Sequence, residues 1–358
     1  MNVAFVGGWP AEGRQAEGGV EVATTRLAAA LTEQGVGVTV LAPGSGEAEA
    51  AGGVRVLRVP VRQNGRLLLL RRLRPWRAAV AGALADVDVD LIHGHGLLDG
   101  GLPAVDASVP SVVTAHGSHA MDTRAARSGV GAELRIALAR SLARRVVRGA
   151  DAIISVNPDP AVNLPAVPHR FEYVPSIVAE AFRAANRAAA PGRVLYCGGP
   201  RRIKGLDLLA ASWPTITAAA PDTTLHVVGW PDGLPLPAEL RGANCDPWLS
   251  PEGLAEAMAK ASVVVIPSRF EVSPVTLLEA WSAGVPVVAT RVGGLSRLAD
   301  GAAVLVAPEP AAIAAGVLDA LSGRDSAALV AEGRRRAELA RPESVARAHI
   351  ALYEELLR

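Results

Sequence analysis

Short, almost unbroken apolar runs recur along this chain, separated by helix-patterned stretches, and that alternation restricts the fold more than any other feature. The first half carries VAFVG, VTVLAP, VRVLRV, DLIHGH, SVVTAHG and DAIISV; the second carries LYCGG, LHVVGW, VVVIPS, VPVVAT and AVLVAP. Strands that alternate with helices imply parallel sheets, because parallel neighbours need a crossover between them. Strands apolar on both faces imply sheets covered on both sides. Strand, glycine turn and helix open the chain (VAFVGG) and recur near Arg193 (RVLYCGG), too far apart for a short repeat array. The expected fold is therefore α/β, with two doubly wound domains facing each other across a deep cleft.

A length of 358 residues agrees with two domains. The boundary is expected in EYVPSIVAEAFRAANRAAAPG, where proline and alanine replace a periodic pattern, giving domains 1–178 and 179–340. The last segment, 341–358, is amphipathic: Val345, His349, Leu352, Tyr353 and Leu356 fall near one face, as in a helix crossing back to the first domain. No window approaches the roughly 20 apolar residues of a membrane span, and the N-terminus lacks the basic stretch of a signal peptide. Two cysteines, Cys197 and Cys245, make neither a disulfide framework nor a metal set, which suits a reducing cytoplasm. A net charge of +1 gives no general attraction to nucleic acid. Lys204 and Lys260 are the only lysines among 36 basic residues. Arginine clusters therefore carry little information here, whereas a lysine is notable.

Residues 268–284, SRFEVSPVTLLEAWSAG, follow the apolar strand SVVVIPS. A strand feeding a polar loop and a helix places that loop at the carboxyl edge of a parallel sheet, where ligands bind. Ser273 is expected to be the N-cap and Pro274 the first helical residue. The amides of Val275 and Thr276 would then face an anion, aided by the helix dipole. Glu271 would lie at the pocket mouth and Glu279 more than a turn inside the helix. Carboxylates that accept hydrogen bonds from hydroxyls, beside amides that hold a diphosphate, suggest a sugar nucleotide.

Gly18 and Gly19 follow a glycine-rich loop after the first strand and open a helix expected over Val22 to Thr32. Gly7, Gly8 and Gly13 do not form the G-x-G-x-x-G fingerprint, so a nicotinamide site has weak support. The matching turn of the second domain, Gly198-Gly199-Pro200-Arg201-Arg202-Ile203-Lys204-Gly205, offers Lys204 as a point-charge clamp for a diphosphate, with Arg201 or Arg202 as helper. His116 lies just past a strand's carboxyl end and could bond a sugar hydroxyl; His119 is a weaker version of the same idea. Asp86, Asp88 and Asp90 contain D-x-D, but the run reads as a helix-to-strand turn and not a metal site. His93 and His95 lack a third ligand and read as structural. The basic, apolar segment Arg66–Arg77 could touch an anionic membrane or acceptor, though solvated helix faces explain it better.

With those residues in view, the chain resembles the retaining glycosyltransferases of family 4, whose GT-B fold pairs two Rossmann-like domains. Glu271 and Glu279 match the E-x7-E motif; Ala280 to Gly284, Pro286 and Gly293-Gly294 match the run after it. Gly198 to Gly205 is similar to the G-R-L-x-x-x-K-G loop, Gly18-Gly19 to the donor-side glycine loop, and His116 to the T-x-H-G histidine. The resemblance implies that Glu279 holds the ribose, Glu271 the donor sugar, Lys204 with an arginine the diphosphate, and that His116 contacts the sugar. It also implies no cofactor and no metal. Gly199 stands where the family has arginine, Pro274 where a glycine is common, Ser176-Ile177 where asparagine-glycine is usual, and Arg297 where a glutamate often follows the double glycine.

The resulting expectation is a metal-independent retaining transferase moving a sugar from a UDP- or GDP-linked donor to an acceptor hydroxyl. Its location would be cytoplasmic, with peripheral contact at the inner membrane face left open. Lipid-linked, polysaccharide and small-metabolite acceptors all stay open. A sugar-nucleotide epimerase of the same fold is the main alternative, and it would need an acid/base pair that the sequence does not offer. A binding protein without catalysis would not need His116 or the Gly18-Gly19 turn.

Overall fold

The computed structural model describes residues 1–14, 16, 18–44, 49–51, 53–61, 69–117, 130–323 and 326–358. They form two compact units, one made of residues 1–177 with 342–358 and the other of residues 178–341.

In the first unit the strands are β1 (Asn2–Val6), β2 (Gly37–Pro43), β3 (Glu49–Ala51), β4 (Val54–Val59), β5 (Leu91–His95), β6 (Ser111–Ala115), β7 (Ala152–Ser155) and β8 (Phe171–Tyr173). They make one sheet in the order β3-β4-β2-β1-β5-β6-β7-β8. Every pairing is parallel except that of the edge strand β3 with β4. Helices α1 (Gly19–Glu33), α2 (Leu69–Ala85), α3 (Gly101–Asp106) and α4 (Val130–Gly149) lie between strands.

The second unit has β9 (Arg193–Cys197), β10 (Thr224–Val228), β11 (Asn244–Asp246), β12 (Val263–Ile266), β13 (Val287–Thr290) and β14 (Val304–Val306), all parallel, in the order β11-β10-β9-β12-β13-β14. Its helices are α5 (Leu206–Ala219), α6 (Pro251–Lys260), α7 (Val275–Ser282), α8 (Pro310–Leu321) and α9 (Ser326–Ala337), with short helical turns at Ala181–Ala184 and Leu295–Leu298. Helix α10 (Pro342–Leu356) belongs to the first unit.

All eleven runs read as strands are strands. They are continuously apolar because each sheet carries a core on both faces. In the first unit one face packs Phe5, Val40, Leu31 and Tyr353, and the other packs Val6, Ile92, Leu73 and Val146. In the second, Leu195, Val264, Leu277 and Trp281 share one core, and Tyr196, Val265, Leu209 and Ile313 the other. Each sheet reverses its strand order once, between β1 and β5 and between β9 and β12. The carboxyl ends beside such a reversal diverge, leaving a crevice that no crossover covers.

Two sequence-derived boundaries shift. Helix α1 begins at Gly19, not Val22: Gly18 is its extended N-cap, and Val22 N–H already donates to Gly18 O at 2.9 Å. Helix α7 begins at Val275 with Pro274 as N-cap, so Ser273 is one residue outside the helix. Pro274 has extended dihedrals (φ −67°, ψ 127°), and its carbonyl accepts from Leu277 N–H at 3.0 Å, the two marks of a cap.

Candidate active site

The loop after β9 and the loop after β12 leave the sheet at the second unit's order reversal, and they are fastened together. Gly205 adopts φ +72°, and a Cβ there would lie 1.9 Å from Pro267 O. Only glycine lets the first loop approach the second so closely. Arg269 N–H donates to Ile203 O at 2.8 Å, and its guanidinium binds both Asp207 oxygens at 2.7 Å and Arg202 O at 2.8 Å. The fork lowers the pKa of Asp207 and raises that of Arg269.

This fastening brings Lys204 to Glu271. Lys204 Nζ donates to Glu271 Oε1 at 2.8 Å, and Ser268 Oγ donates to the same oxygen at 2.8 Å. Glu271 is buried, whereas Lys204 is half-buried and keeps an open side. Ser268 is held in turn by Thr290, whose Oγ1 donates to Ser268 O at 2.5 Å. On the far side, Gly294 N–H donates to Glu271 O at 2.8 Å; a Cβ on Gly293 (φ +47°) would fall 2.4 Å from that oxygen. The double glycine thus exists to let β13's loop lie against Glu271.

Four residues on, α7 presents Val275 and Thr276, half-buried, as its first two helical residues. Their N–H groups have no carbonyl in a preceding turn to bond. Ser273 Oγ is buried without a hydrogen-bond partner among the described residues, as is Tyr196 Oη on β9. Ser273 was expected to cap α7; its hydroxyl instead stands idle beside the helix start. Glu279 lies in the second turn of α7 and is buried. Arg201 and Arg202 are both exposed at the tip of the β9 loop.

In the first unit, Gly18 and Gly19 are exposed at the start of α1, and a Cβ at either would meet nothing within 4 Å. The backbone there is open to a ligand, although Gly18's φ of −94° does not itself demand glycine. His116 is half-buried just past β6, and its Nε2 lies 3.1 Å from His95 Nδ1. Burial, with His349 nearby, brings the pKa of His116 down to about 4, so its ring is neutral at pH 7. His93 bonds Tyr353 Oη at 2.6 Å and Thr114 Oγ1 at 2.7 Å, a structural arrangement. Sequence reasoning set His95 aside with it; the alternation H-x-H on β5 beside T-x-H on β6 was the signal that puts His95 and His116 on one sheet face.

Asp86, Asp88 and Asp90 do form the turn between α2 and β5, with Asp90 Oδ2 accepting from Asn2 N–H at 2.7 Å. Among the described residues, no group of three or more His, Cys, Asp or Glu side chains could hold a metal ion. His119 lies outside the described residues, as do residues 66–68 of the Arg66–Arg77 segment. Arg77 is engaged by Asp106, which also binds Arg145 at 2.7 Å. No described helix is long and apolar enough to cross a membrane.

Residues 17–182 match the family described as Glycosyltransferase Family 4, and residues 191–323 match Glycosyl transferases group 1. The chain is 31% identical to a D-inositol 3-phosphate glycosyltransferase of Geodermatophilus obscurus, covering 89% of this chain and 80% of that one. This chain belongs to glycosyltransferase family 4. A D-inositol 3-phosphate glycosyltransferase of Catenulispora acidiphila is 29% identical to this glycosyltransferase over 78% of this chain and 75% of its own. Among solved structures, sucrose-phosphate synthase from Thermosynechococcus elongatus superposes with a TM-score of 0.76 at 22% identity over 99% of both chains. A HepE protein of Anabaena, solved with UDP and glucose, gives 0.68 at 15% over 99% of both. At such identities the likeness shows the fold, which is that of the GT-B glycosyltransferases.

Proposed function

We propose that this glycosyltransferase moves a sugar from a UDP- or GDP-linked donor to an acceptor hydroxyl, with retention at the anomeric carbon and without a metal or other cofactor. The observation that carries the reading is the Lys204–Glu271 contact beside the start of α7. In this reading Lys204, the two helix-start amides and the Ser273 hydroxyl, which has no partner among the described residues, together hold the diphosphate. Arrival of the diphosphate would draw Lys204 away from Glu271 and leave that carboxylate to accept from donor-sugar hydroxyls. Glu279 is assigned to the ribose, and Arg201 or Arg202 to the diphosphate as second cation.

Retention follows in this reading from attack on the face the diphosphate leaves, the acceptor's proton passing to the departing phosphate oxygen. Glu271 is not assigned as a nucleophile: once Lys204 has moved to the diphosphate, Ser268 still holds one of its oxygens, and the carboxylate is left to accept from sugar hydroxyls. It positions the sugar instead, unlike the second carboxylate of a retaining glycosidase. Charge on the leaving diphosphate is met in this reading by Lys204, an arginine and the amide at Val275. His116 is assigned to a donor-sugar oxygen. Among acceptors, a small polyol phosphate is the first to test, since the relatives are named for inositol 3-phosphate.

Thermal-shift titration with UDP, GDP, ADP, CMP and NAD tests the donor site. A ligand at 100 times its Kd adds about 2.7 kcal/mol to stability. UDP or GDP should raise the Tm of the wild type. Lys204→Ala and Glu279→Ala should each lose most of the shift, since a hydrogen bond to a charged group contributes about 1.5–3 kcal/mol. Stabilisation by NAD alone, or by no nucleotide, would overturn the reading.

A further inference from the structure

The imidazoles of His95 and His116 meet nitrogen to nitrogen, with ring centroids 5.4 Å apart and planes 25° from parallel. His95 is 2% exposed; its other nitrogen, Nε2, is buried and has no hydrogen-bond partner among the described residues. Burial lowers the pKa of both rings, so each is neutral at pH 7 and carries one proton. Two arrangements are then open. With the shared proton on His116 Nε2, the single proton of His95 must sit on Nε2, where it becomes a buried N–H with no acceptor. With the shared proton on His95 Nδ1, that Nε2 is a bare lone pair, and the proton of His116 is on Nδ1. Of the two faults, an orphaned buried N–H is the rarer in folded proteins.

We infer that His95 is a positioning residue that donates from Nδ1 to His116 Nε2 and so fixes His116 as a hydrogen-bond donor through Nδ1. His116 is half-buried, so the residue keeps some surface that a ligand can reach. With its Nε2 lone pair occupied, His116 gives a hydrogen bond to a ligand oxygen and is unavailable as a proton acceptor. The catalytic relevance rests on the assignment of His116 to a donor-sugar oxygen; the tautomer does not.

Nitrogen-proton correlation spectra of the full chain, labelled with 15N-histidine at pH 7.5, read the tautomer directly. The His95→Asn and His116→Asn variants identify the peaks by their absence. The expected result is a protonated Nδ1 and a bare Nε2 on His116, without any ligand. A protonated Nε2 on His116, or protons on both its nitrogens, would overturn the inference whatever the protein's activity. In turnover, His95→Leu should lower kcat by about 5–30-fold, the equivalent of one to two kcal/mol. His95→Asn, whose amide can donate from the Nδ1 position, should restore most of it. Equal losses in both variants would mean that His95 only packs. A confirmed tautomer in a protein that binds no sugar nucleotide would sink the transferase reading and leave the inference standing.

Discussion

Gly205 shows how a single atom governs this site. Any side chain there meets Pro267 O at 1.9 Å and must also hold φ +72°. The left-handed conformation alone costs about 1–2 kcal/mol in an L-residue. Gly205→Ala should therefore lower Tm by at least several degrees, at about 2–4 °C per kcal/mol for units of this size. It should also separate Lys204 from Glu271 and weaken the proposed nucleotide-sugar binding; an unchanged Tm by calorimetry would show that the loops are not so closely joined. The sequence made Lys204 and Gly205 conspicuous, one by rarity and the other by the turn it closes. It could not show that the glycine is needed by a proline carbonyl 62 positions away. Ser273 fails in the opposite way. The local pattern S-P-V-T suits a serine cap, yet Pro274 satisfies the cap geometry itself and leaves the serine outside.

At the level of elements, legibility follows burial. Interior strands are apolar on both faces and announce themselves. The strands missed from sequence, β3, β8 and β11, are three residues each and lie at sheet edges, where Glu49, Glu172, Asn244 and Asp246 interrupt any apolar run. Helix α10 was legible as an amphipathic face expected to cross back to the first domain, but not which residues that face meets. Val345, Ala346, Leu352 and Tyr353 complete a core with Phe5, Val40 and Ile154, and Tyr353 Oη reaches His93 on β5. Tyr353→Phe removes that hydroxyl and leaves His93 Nδ1 buried without a partner. The expected loss is about 1–3 kcal/mol, seen as a lower urea midpoint with an unchanged m-value. No change in midpoint would mean that the His93 contact contributes nothing to α10's docking.

Across the whole molecule, three buried imidazoles (His93, His95 and His349) and the half-buried His116 gather in the first unit. Burial lowers all four pKa values, those of His116 and His349 to about 4 from 6.5. Above pH 6.5 neither the folded nor the unfolded chain protonates them, and they impose no penalty. As pH falls from 6.5 towards 4, the unfolded chain takes up protons that the folded one refuses, and stability drops. Each such group can contribute up to about 1.4 kcal/mol per pH unit in that window. The Tm should therefore fall steeply between pH 6.5 and 4.5, and a flat profile there would show imidazoles that titrate normally.

The two units also differ in how the chain supplies them. Residues 178–341 are contiguous, whereas the first unit waits for 342–358 to finish its core. On the ribosome, α10 emerges only after the whole second unit has been made, roughly 10–30 seconds later at about 5–20 residues per second. During that interval the second unit can fold outright, while the first stands with the seat of α10 uncovered. The part translated first is completed last, and in the interval it keeps exposed the apolar residues that α10 later covers.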